Sequence, residues 1–551
     1  MPDPIIALAG EWETVFQGET KAALETLLPE YLQQQRWFGG KARQIRSTVL
    51  TEAVRFPYAA CVACCAFLAV AYSEGEPETY ILPLTLIVGP RAEAMLQEAP
   101  QAVIARVRRA EAEGLLCEAW REAPLWETVL TAIADSRHMP GMAGVLCALP
   151  TQVFAALRGP VEAPLAPTPL AVEQSNTSVV YGDRLLLKLF RRVADGMNPD
   201  LELGRFLTER ASFPHMAPVA GALEYRSHSG ASCTVGILHG FVPHWGDAWK
   251  YTLEALDDYF AAVRTRQQAE PAAVPKQSVL VLAEEEIPPL VSALIGPYLA
   301  SAQMLGQRTA ALHRALASDH EDPRFAPEPV TTAYQHALVQ SMQELATQAF
   351  RLLSQRLPTL SAAVREEAHQ VLTLKAAVLA ALQAVAQRPC TALRMRIHGD
   401  YHLGQVLYTG DDFIITDFEG EPARPLRERQ HKHVPLKDVA GMLRSFHYAA
   451  YAGLLNQAKQ GVSAPSEART VFEPWAQLWY VWVSTAFLQA YLADAGAAGV
   501  LPPTRDERQV LLDAYLLEKA VYELHYELNN RPDWVGIPLQ GIRQCWATAQ
   551  G

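Results

Sequence analysis

One short two-stranded unit interrupts the helical second half of this chain, and it constrains the possible fold more than any other feature. Residues 397–421 read IHGDYHLGQVLYTGDDFIITDFEGE. The runs QVLY and FIIT are typical of paired strands, and TGDD between them supplies turn residues. Such a hairpin places Asp400 and Asp417 at the same end, with Gln405 at the start of the first strand and within reach of both.

The side chains grouped at this end have a definite chemistry. Two carboxylates and an amide suit a hard cation such as Mg²⁺, and a carboxylate that is free of metal can accept a hydroxyl proton. Protein kinases divide these tasks in a similar way: HGDYHLGQ stands here in place of H-R-D-x-x-x-x-N, and DFE in place of DFG. The alternative is a pair of surface aspartates that cap nearby amides. That alternative leaves unexplained the joint occurrence, around one hairpin, of His398, Gly399, Asp400, His402, Gln405, Asp417 and Glu419.

An upstream strand offers a candidate nucleotide site. Lys188 lies within the apolar run RLLLKLF, where a charge is unfavourable unless it is paired. Glu202, on the helix that follows, is the natural partner, and the pair is predicted to present the ammonium group to ATP phosphates. The alternative is a lysine that extends from a strand edge into solvent.

No glycine-rich phosphate motif accompanies this lysine, because neither G-x-G-x-x-G nor G-x-x-x-x-G-K-[ST] occurs in the sequence. A P-loop enzyme is therefore disfavoured. The candidate phosphate-covering turn is EQSNTSVVYGD, which offers hydroxyl, amide and backbone donors at Ser175, Asn176, Thr177 and Ser178. Taken alone, a run of this kind is usually a simple turn.

Length and composition exclude several classes of protein. The chain has 551 residues, which is too long for one ordinary core, so we expect two or three compact units. The net charge of -12 disfavours a protein that grips DNA or RNA through its phosphates. Eight cysteines are too few for a disulfide framework in a chain of this size. No secretory signal is recognisable and the longest apolar runs fall short of a membrane span, so we expect a cytoplasmic protein with no membrane association.

We predict an α+β protein with a two-lobed, protein-kinase-like fold and an extra N-terminal cap subdomain. Residues 1–89 form the cap, in which a helix precedes apolar runs typical of strands. Residues 90–243 hold an intermediate segment, more helical from residue 91 to 157, and then the nucleotide-binding lobe, with the proline-rich GPVEAPLAPTPL at the boundary. Asn198 and Pro199 suit a helix start in that lobe. Residues 244–551 form a mostly helical lobe that carries the hairpin, with an exposed loop expected at AEPAAVPKQS.

Several longer motifs extend the comparison beyond the hairpin. They are HGDYHLGQVL, DFEGEPARPLRER, PLKDVAGMLRSF and EKAVYELHYELNNRPDWVGIPL, together with QQQRWFGGKAR, QSNTSVV, NPDLE and LGQRTAALHRAL. On these motifs the chain resembles bacterial maltokinases over nearly its whole length, and more broadly the aminoglycoside phosphotransferase-like small-molecule kinases. The resemblance implies transfer of the ATP γ-phosphoryl group to the anomeric hydroxyl of maltose, on the route from trehalose to α-glucan, with trehalose synthase as a partner.

The resemblance also implies roles for individual residues. Asp400 is similar to the catalytic base, and Gln405 and Asp417 are similar to the ligands of Mg²⁺. Lys188 with Glu202 resembles the pair that orients the phosphates. Residues that contact the sugar are expected among His402, Glu419, Tyr515, Lys519, Tyr522, Glu523 and Trp534. By its spacing alone, the aromatic stripe on the C-terminal helix is more often the pattern of a core helix than of a sugar site.

Two rival functions fit the same motifs. One is an aminosugar kinase, for example a glucosamine kinase, on the same scaffold. An acidic cluster in the acceptor pocket would favour it, because a cationic amine needs a carboxylate partner. The other is a non-catalytic protein that binds trehalose synthase. The intact set of Asp400, Gln405, Asp417 and Lys188 disfavours that function, because a scaffold has no need of these residues.

Overall fold

The structure is a computed structural model, and it describes residues 5–109, 112–170, 176–265, 273–459, 465–497 and 499–548. The chain divides into two compact units. The first comprises Met1–Ser212 and Ala217–Pro243, and the second comprises Phe213–Met216 and His244–Gly551. The first unit is rich in strands and the second is rich in helices, which confirms the predicted α+β class.

The first unit contains two sheets and their covering helices. Its strands are β1 Ile5–Leu8, β2 Ile45–Tyr58, β3 Cys61–Tyr72, β4 Glu78–Val88, β5 Val103–Arg109, β6 Ala112–Glu118, β7 His138–Pro140, β8 Gly144–Pro150, β9 Pro167–Pro169, β10 Asn176–Tyr181, β11 Leu185–Phe190, β12 Arg192–Val193, β13 Val219–Ser227 and β14 Ser232–Gly240. Its helices are α1 Gly18–Gln34, α2 Pro90–Glu98, α3 Ala123–Ala134, α4 Phe154–Arg158 and α5 Pro199–Glu209.

The first six strands build one sheet, here named the cap sheet, in the order β1-β5-β6-β4-β3-β2, and β12 pairs with β4. Strand β3 is apolar along its whole length because most of its residues are buried on both faces. Helix α1 covers one face by placing Leu24, Leu28 and Leu32 in the core. Their spacing of four residues puts them on one stripe of the helix.

The segment after the predicted cap is not the helical stretch that we expected between residues 91 and 157. Helix α2 ends at Glu98, and Pro100 stops the helical pattern. The chain then enters β5, which lies between β1 and β6 and buries Ile104 and Val107. The cap sheet therefore continues past residue 89, as far as Glu118.

The second sheet has the order β7-β8-β13-β14-β11-β10-β9. Strands β10 and β11 pair antiparallel, with Ser178 opposite Lys188, so the predicted strand, turn and strand are confirmed. The predicted helix start is also confirmed: the Asn198 side chain accepts a hydrogen bond from Asp200 N at 2.9 Å, and Pro199 is the first residue of α5.

The second unit is mostly helical. Its helices are α6 Ala248–Thr265, α7 Val279–Leu282, α8 Pro289–Ile295, α9 Tyr298–Leu316, α10 Thr332–Arg356, α11 Ala362–Thr373, α12 Lys375–Gln387, α13 Leu426–Arg429, α14 Leu436–Lys459, α15 Pro465–Ala497, α16 Arg505–Asn530 and α17 Gly536–Thr548. Its strands are β15 Gly246–Asp247, β16 Glu328–Pro329, β17 Leu393–Arg394, β18 Val406–Tyr408 and β19 Phe413–Ile415.

The core of the second unit forms where α9, α14, α15 and α16 pack together. Large side chains fill it, among them Trp479, Phe487 and Tyr491, none of which is exposed. The loop predicted at AEPAAVPKQS begins outside the described residues, and its described part, from residue 273, has no helix or strand before α7. All eight cysteines are free thiols, which agrees with the absence of a disulfide framework.

Among the described residues, no single helix has the length and hydropathy needed to cross a membrane. A bent pair, α11 with α12, passes the same test only when the two helices are taken together across a bend of 51°.

Candidate active site

The predicted hairpin is present in the second unit. Strands β18 and β19 pair antiparallel, with Val406 opposite Ile415, and residues 409–412 form the turn. Arg308 holds the turn from helix α9, because its Nε and Nη2 donate to the two carboxylate oxygens of Asp412 at 2.7 and 3.0 Å. The Tyr251 ring stacks on Tyr408 with 3.9 Å between ring centroids. The hairpin is therefore fixed to the surrounding helices.

The two loops at the end of the hairpin approach each other closely. Gly399, in the loop before β18, has a φ of 86°, and Gly420, after β19, has a φ of 71°. A Cβ atom on Gly399 would lie 3.5 Å from the Gly420 Cα. Asp417 has a φ of 65°, in the left-handed region that residues with a side chain rarely adopt. Backbone strain of this kind tends to occur at functional sites.

A buried aspartate, Asp438 on helix α14, fixes the loop that precedes β18. Its carboxylate accepts hydrogen bonds from His398 N at 2.8 Å and Gly399 N at 2.9 Å, and His313 Nε2 lies 3.1 Å away. Burial alone raises the pKa of the Asp438 carboxyl, but His313 and the loop lower it more, so the pKa falls below its usual value. Asp438 is thus an ionised acceptor for the loop that carries Asp400.

The sequence interpretation did not single out Asp438, although it quoted the motif that contains it. The one local signal is an acidic residue at the start of a helix, which by itself indicates only a favourable charge near the helix N-terminus. His398 completes the support of the loop. Its Nε2 donates to Thr416 O at 2.9 Å and its Nδ1 accepts from Asp400 N at 3.4 Å, so it ties Asp400 to the segment before Asp417.

Asp400 lines a small cavity of about 20 Å³ within the second unit. The charged side chains of its wall include Asp400, Glu421, Arg424, Lys437, Glu518 and Lys519. Lys519 Nζ donates to Asp400 Oδ1 at 3.0 Å and lies 3.4 Å from Glu421 Oε1. One lysine from helix α16 therefore joins the candidate base to a second carboxylate.

Acidic and basic groups compensate each other in this pocket. Burial would raise the pKa of Glu421, but Lys519, Lys437 and Arg424 lower it to about 2. Burial would likewise lower the pKa of Lys519, yet Asp400 and Glu421 raise it well above its ordinary value. Both groups are therefore ionised at neutral pH. Glu421 was not among the predicted site residues, because its position in DFEGE does not reveal that it turns toward α16.

The residues predicted to contact a sugar divide into two groups. Tyr515, Lys519 and Tyr522 line the pocket, as their spacing along one face of α16 allows. Glu523 does not line the pocket and forms an ion pair with the buried Arg444, at 2.5 Å. Trp534 stacks against Tyr448, with the two rings nearly parallel at 6.0 Å. Their roles toward a sugar stay predictions.

Tyr515 shows why the aromatic stripe was ambiguous. It lines the pocket, but it is 1% exposed and burial raises its pKa well above the ordinary value, as for a core tyrosine. Tyr522 is more accessible, and the Lys519 ammonium lies 4.7 Å from its ring centroid. Core packing and pocket lining therefore belong to one helix face.

The backbone positions of the two predicted metal ligands, Gln405 and Asp417, lie close together at one end of the hairpin. Gln405 is the last residue before β18, and its carbonyl accepts from Thr416 N at 2.9 Å, next to Asp417. Carboxylate oxygens of Asp417 and Glu419 lie within 4.8 Å of each other. These are oxygen donors, the type that Mg²⁺ prefers.

His402 lies beside the candidate base. Its Nε2 is 3.9 Å from Asp400 Oδ2, and its Nδ1 accepts from Gly404 N at 3.1 Å. Burial lowers the pKa of His402, so the imidazole is neutral at pH 7 and offers a donor at Nε2.

In the first unit, Lys188 has a carboxylate partner, as predicted for a charged residue in an apolar strand. Its Nζ donates to Asp200 Oδ2 at 3.2 Å. The sequence interpretation chose Glu202 as this partner, and the role of Glu202 stays a prediction. Both carboxylates lie in the first turn of α5 and both are buried, so the motif NPDLE did not distinguish them.

The candidate phosphate-covering turn differs from the expectation. Asn176, Thr177 and Ser178 begin strand β10 and do not form a turn, and Ser175 lies outside the described residues. Ser178 is paired with Lys188 across β10 and β11, whereas Thr177 is buried and points to the opposite face. The involvement of these residues with a nucleotide stays a prediction.

Comparisons with known proteins agree with this geometry. Residues 31–121 match the model of the maltokinase N-terminal cap domain. A glucosamine kinase from Mycolicibacterium smegmatis is 24% identical over 457 residues, which cover 82% of this chain and 95% of that protein. A second, from Streptacidiphilus jiangxiensis, is 23% identical over 374 residues, which cover 67% of this chain and 71% of that protein.

Solved structures show the same fold. A glucosamine kinase in complex with glucosamine, ADP and inorganic phosphate aligns with a TM-score of 0.59 and 17% identity, over 97% of this chain and 99% of that one. The predicted kinase-like fold with an N-terminal cap is confirmed, and the relatives point to a sugar kinase. The chain is therefore similar to maltokinases in its cap domain and to glucosamine kinases over most of its length.

Proposed function

We propose that this protein transfers the γ-phosphoryl group of ATP to the anomeric hydroxyl of maltose, giving maltose 1-phosphate and ADP. The observation that carries the choice of a neutral sugar is the contact of Lys519 with Asp400 and Glu421. The protein itself supplies the cation for these carboxylates. An acceptor that brings its own ammonium group would have to compete with Lys519 for them.

The polarity of the pocket supports the same acceptor. A hydroxyl group can donate to Asp400 and accept from Lys519 at once, so a neutral sugar satisfies both charged groups without separating them. The match to the maltokinase cap domain adds independent support, because it concerns a different part of the chain.

The proposed reaction needs few covalent steps from the protein. The acceptor oxygen forms a bond to the γ-phosphorus, the bond from that phosphorus to the β,γ-bridging oxygen breaks, and the hydroxyl proton passes to Asp400. Lys519 and the backbone contact with His398 hold Asp400 in place. Alignment of the reacting groups is the main source of rate in reactions of this type.

The residues at the hairpin end fit Mg²⁺. Gln405, Asp417 and Glu419 would hold the ion, since all three offer oxygen donors near one strand end. When bound, Mg²⁺ supplies positive charge to the phosphate oxygens of ATP. Lys188, with Asp200 and Glu202 around it on α5, is proposed to bind the phosphates. Ser178, paired with Lys188, lies on the same face of the sheet.

Further parts of the proposal rest on the maltokinase resemblance alone. They are a place on the route from trehalose to α-glucan, a cytoplasmic location and association with trehalose synthase.

A second candidate function is phosphorylation of glucosamine. It is favoured by the two curated relatives and by the solved structure described above, which are named as glucosamine kinases. In that case an amine would approach Glu421 or Glu518 and displace Lys519.

The acceptor is tested by steady-state ADP release with Mg·ATP and a panel of maltose, glucose, trehalose and glucosamine. We expect kcat/KM for maltose to exceed that for glucosamine by about 100-fold, the discrimination expected for a charged group without a partner. A higher kcat/KM for glucosamine would overturn the maltose assignment and keep the sugar kinase. No turnover with any acceptor would overturn both.

A further inference from the structure

We infer that the cap sheet holds the strand that carries Lys188, so that Arg191 and Glu118 are positioning residues for nucleotide binding. The inference assigns a role to the cap, which the phosphoryl transfer itself does not require. It rests on the proposed function at one point, that Lys188 contacts the phosphates of ATP. All residues involved lie in the first unit.

The backbone supplies the first observation. Strand β11, which contains Lys188, lies in the second sheet between β10 and β14. One residue after its end the same chain becomes β12 and pairs with β4 of the cap sheet, with Arg192 opposite Tyr80. At the crossing point, Ile81 N donates to Arg191 O at 2.8 Å. The continuous segment that contains Lys188 therefore contributes one strand, β11, to the second sheet and the next strand, β12, to the cap sheet.

A buried ion pair supplies the second observation. Arg191 Nη1 and Nη2 donate to the two carboxylate oxygens of Glu118, each at 2.9 Å, and the two side chains are 6% and 2% exposed. Glu118 is the last residue of β6, and the Trp37 ring lies 4.6 Å from Arg191 Cζ. A bidentate ion pair fixes the orientation of the guanidinium group relative to the carboxylate as well as the distance between them. Because buried ion pairs add little stability compared with apolar residues, stability alone does not account for this one.

The neighbouring residue is held from the other face. Arg192 Nη1 donates to Glu78 Oε1 at 2.9 Å. The second oxygen of Glu78 accepts from Tyr72 and Tyr80, both at 2.7 Å, and pairs with Arg43 at 2.6 Å. The successive side chains of Arg191 and Arg192 thus bind cap residues on opposite faces of the extended chain, which prevents this segment from turning about its axis.

These contacts restrain Lys188 because it lies close to them in the same extended segment. Lys188 precedes Arg191 by three residues, and its Nζ lies 5.3 Å from the ring centroid of Phe190, which is 2% exposed. A strand that can neither slide nor rotate at its exit keeps this ammonium group in one place. Displacements of about 1 Å at a binding group are enough to weaken a polar contact strongly.

The test compares two cap carboxylates with the same chemistry. Glu118→Gln keeps the shape of the side chain but breaks the pair with Arg191. Glu122→Gln is the matched control, because Glu122 is equally buried and accepts two hydrogen bonds from Arg91, at 2.6 and 2.7 Å. Arg91 lies in α2 and is not part of the segment that contains Lys188. The Kd of ADP is measured by calorimetry, and the KM of ATP and kcat by ADP release.

For Glu118→Gln we expect the Kd of ADP and the KM of ATP to rise about 10-fold, with kcat at saturating ATP and the KM of the sugar changed by less than about twofold. Glu122→Gln should match the wild type in all four. A purely structural role would lower the melting temperature without this split. An unchanged Kd of ADP in folded Glu118→Gln would overturn the inference.

Two further measurements test the inference if Glu118→Gln does not fold, and distinguish a wrong cap role from a wrong assignment of ATP as substrate. Arg192→Gln removes a partly exposed contact and should raise the Kd of ADP in the same direction if Glu118→Gln does not fold, while no change would count against the cap. Hydrogen exchange should be faster in residues 185–190 of either variant and unchanged in Glu122→Gln. A wild type that binds no adenine nucleotide would overturn the ATP part of the proposed function as well, whereas wild-type binding with an unaffected variant overturns the cap role alone.

Discussion

Asp400 and Lys519 form the contact on which the proposed chemistry depends. Their side chains are 3.0 Å apart, both are mostly buried, and the lysine also reaches Glu421. The same contact fixes the direction in which the carboxylate points.

Asp400→Asn tests the role of the base. The amide is similar in size and can keep a contact with Lys519, but it cannot accept a proton. We expect kcat to fall by about 10²–10⁴-fold, the range for loss of general base catalysis, and the Kd of ADP to stay within about twofold of the wild type. Single-turnover kinetics and calorimetry measure the two quantities. Near wild-type turnover would mean that another residue is the base.

Lys519→Gln tests the choice of acceptor. Without this lysine, Asp400 loses the cation that contacts it while Glu421 retains Arg424 at 2.6 Å, and a substrate amine can take the place of the lysine beside Asp400. We expect kcat/KM for glucosamine relative to maltose to rise by about 10-fold or more. Lys437→Gln is the control, because it removes one positive charge from the same pocket but contacts Glu518, at 3.9 Å, instead of Asp400. An equal ratio in both variants would contradict the role of Lys519 in selectivity.

At the level of the element, the hairpin links the backbone conformation to the proposed metal site. Asp417 adopts a left-handed conformation directly after β19, which turns the chain toward Gly420. Such a conformation is unfavourable by about 1–3 kcal/mol for a residue with a side chain, though less so for Asp and Asn.

Asp417→Asn tests the metal-binding role of this residue separately from its left-handed backbone conformation. Asn tolerates the left-handed conformation, so the melting temperature of the free protein should change by less than about 2 °C. Loss of one carboxylate should weaken the binding of Mg²⁺. The stabilisation of the protein by Mg·ADP, measured by calorimetric melting with and without Mg²⁺, should then fall to that given by ADP alone. Full stabilisation of the variant by Mg·ADP would exclude Asp417 as a ligand.

The elements that could be predicted from the sequence are those with local signals. TGDD between two apolar runs predicted the hairpin, and Asn198 before Pro199 predicted the start of α5. Strand β5 was missed because its pattern is short and follows a helix, and Pro100 was the only sign of the change. The choice between Asp200 and Glu202 as partner of Lys188 depends on side-chain direction at the helix start, which the spacing does not reveal.

At the level of the whole molecule, the contacts that matter most join distant parts of the chain. Asp438 holds the loop before β18 from helix α14, and Lys519 reaches Asp400 from α16, 119 residues away along the chain. The cap sheet is completed by β12, which follows β11 of the second sheet along the chain. No local periodicity encodes such pairings, so the fold class was predictable while the residues that complete the site were not.

The stability of the whole protein should depend on pH through Asp513. This residue of α16 accepts a hydrogen bond from Gln509 at 2.7 Å, and burial raises its pKa from 3.8 to about 6. Between pH 7 and pH 4 the folded protein therefore binds a proton at Asp513 that the unfolded chain does not, so the contribution of Asp513 to the free energy of unfolding rises as the pH falls. The full effect is at most about 3 kcal/mol.

Asp513→Asn should remove this dependence. Urea unfolding at pH 7 and pH 5 measures it, and the variant should be more stable than the wild type at pH 7 by about 1–3 kcal/mol, with a smaller difference at pH 5. Asp506→Asn, an exposed change on the same helix, is the control and should leave the wild-type dependence intact. A destabilised Asp513→Asn protein would show that the carboxylate is needed in its charged form.

The central claim, transfer of phosphate to the anomeric oxygen of a neutral disaccharide, is tested most directly by phosphorus NMR of the product. The purified protein is incubated with Mg·ATP and maltose, with Asp400→Asn as the control. We predict a sugar phosphate signal coupled to the anomeric proton, formed together with ADP and absent in the variant. A phosphate on another hydroxyl, or a sugar phosphate formed only when glucosamine replaces maltose, would contradict the proposed acceptor.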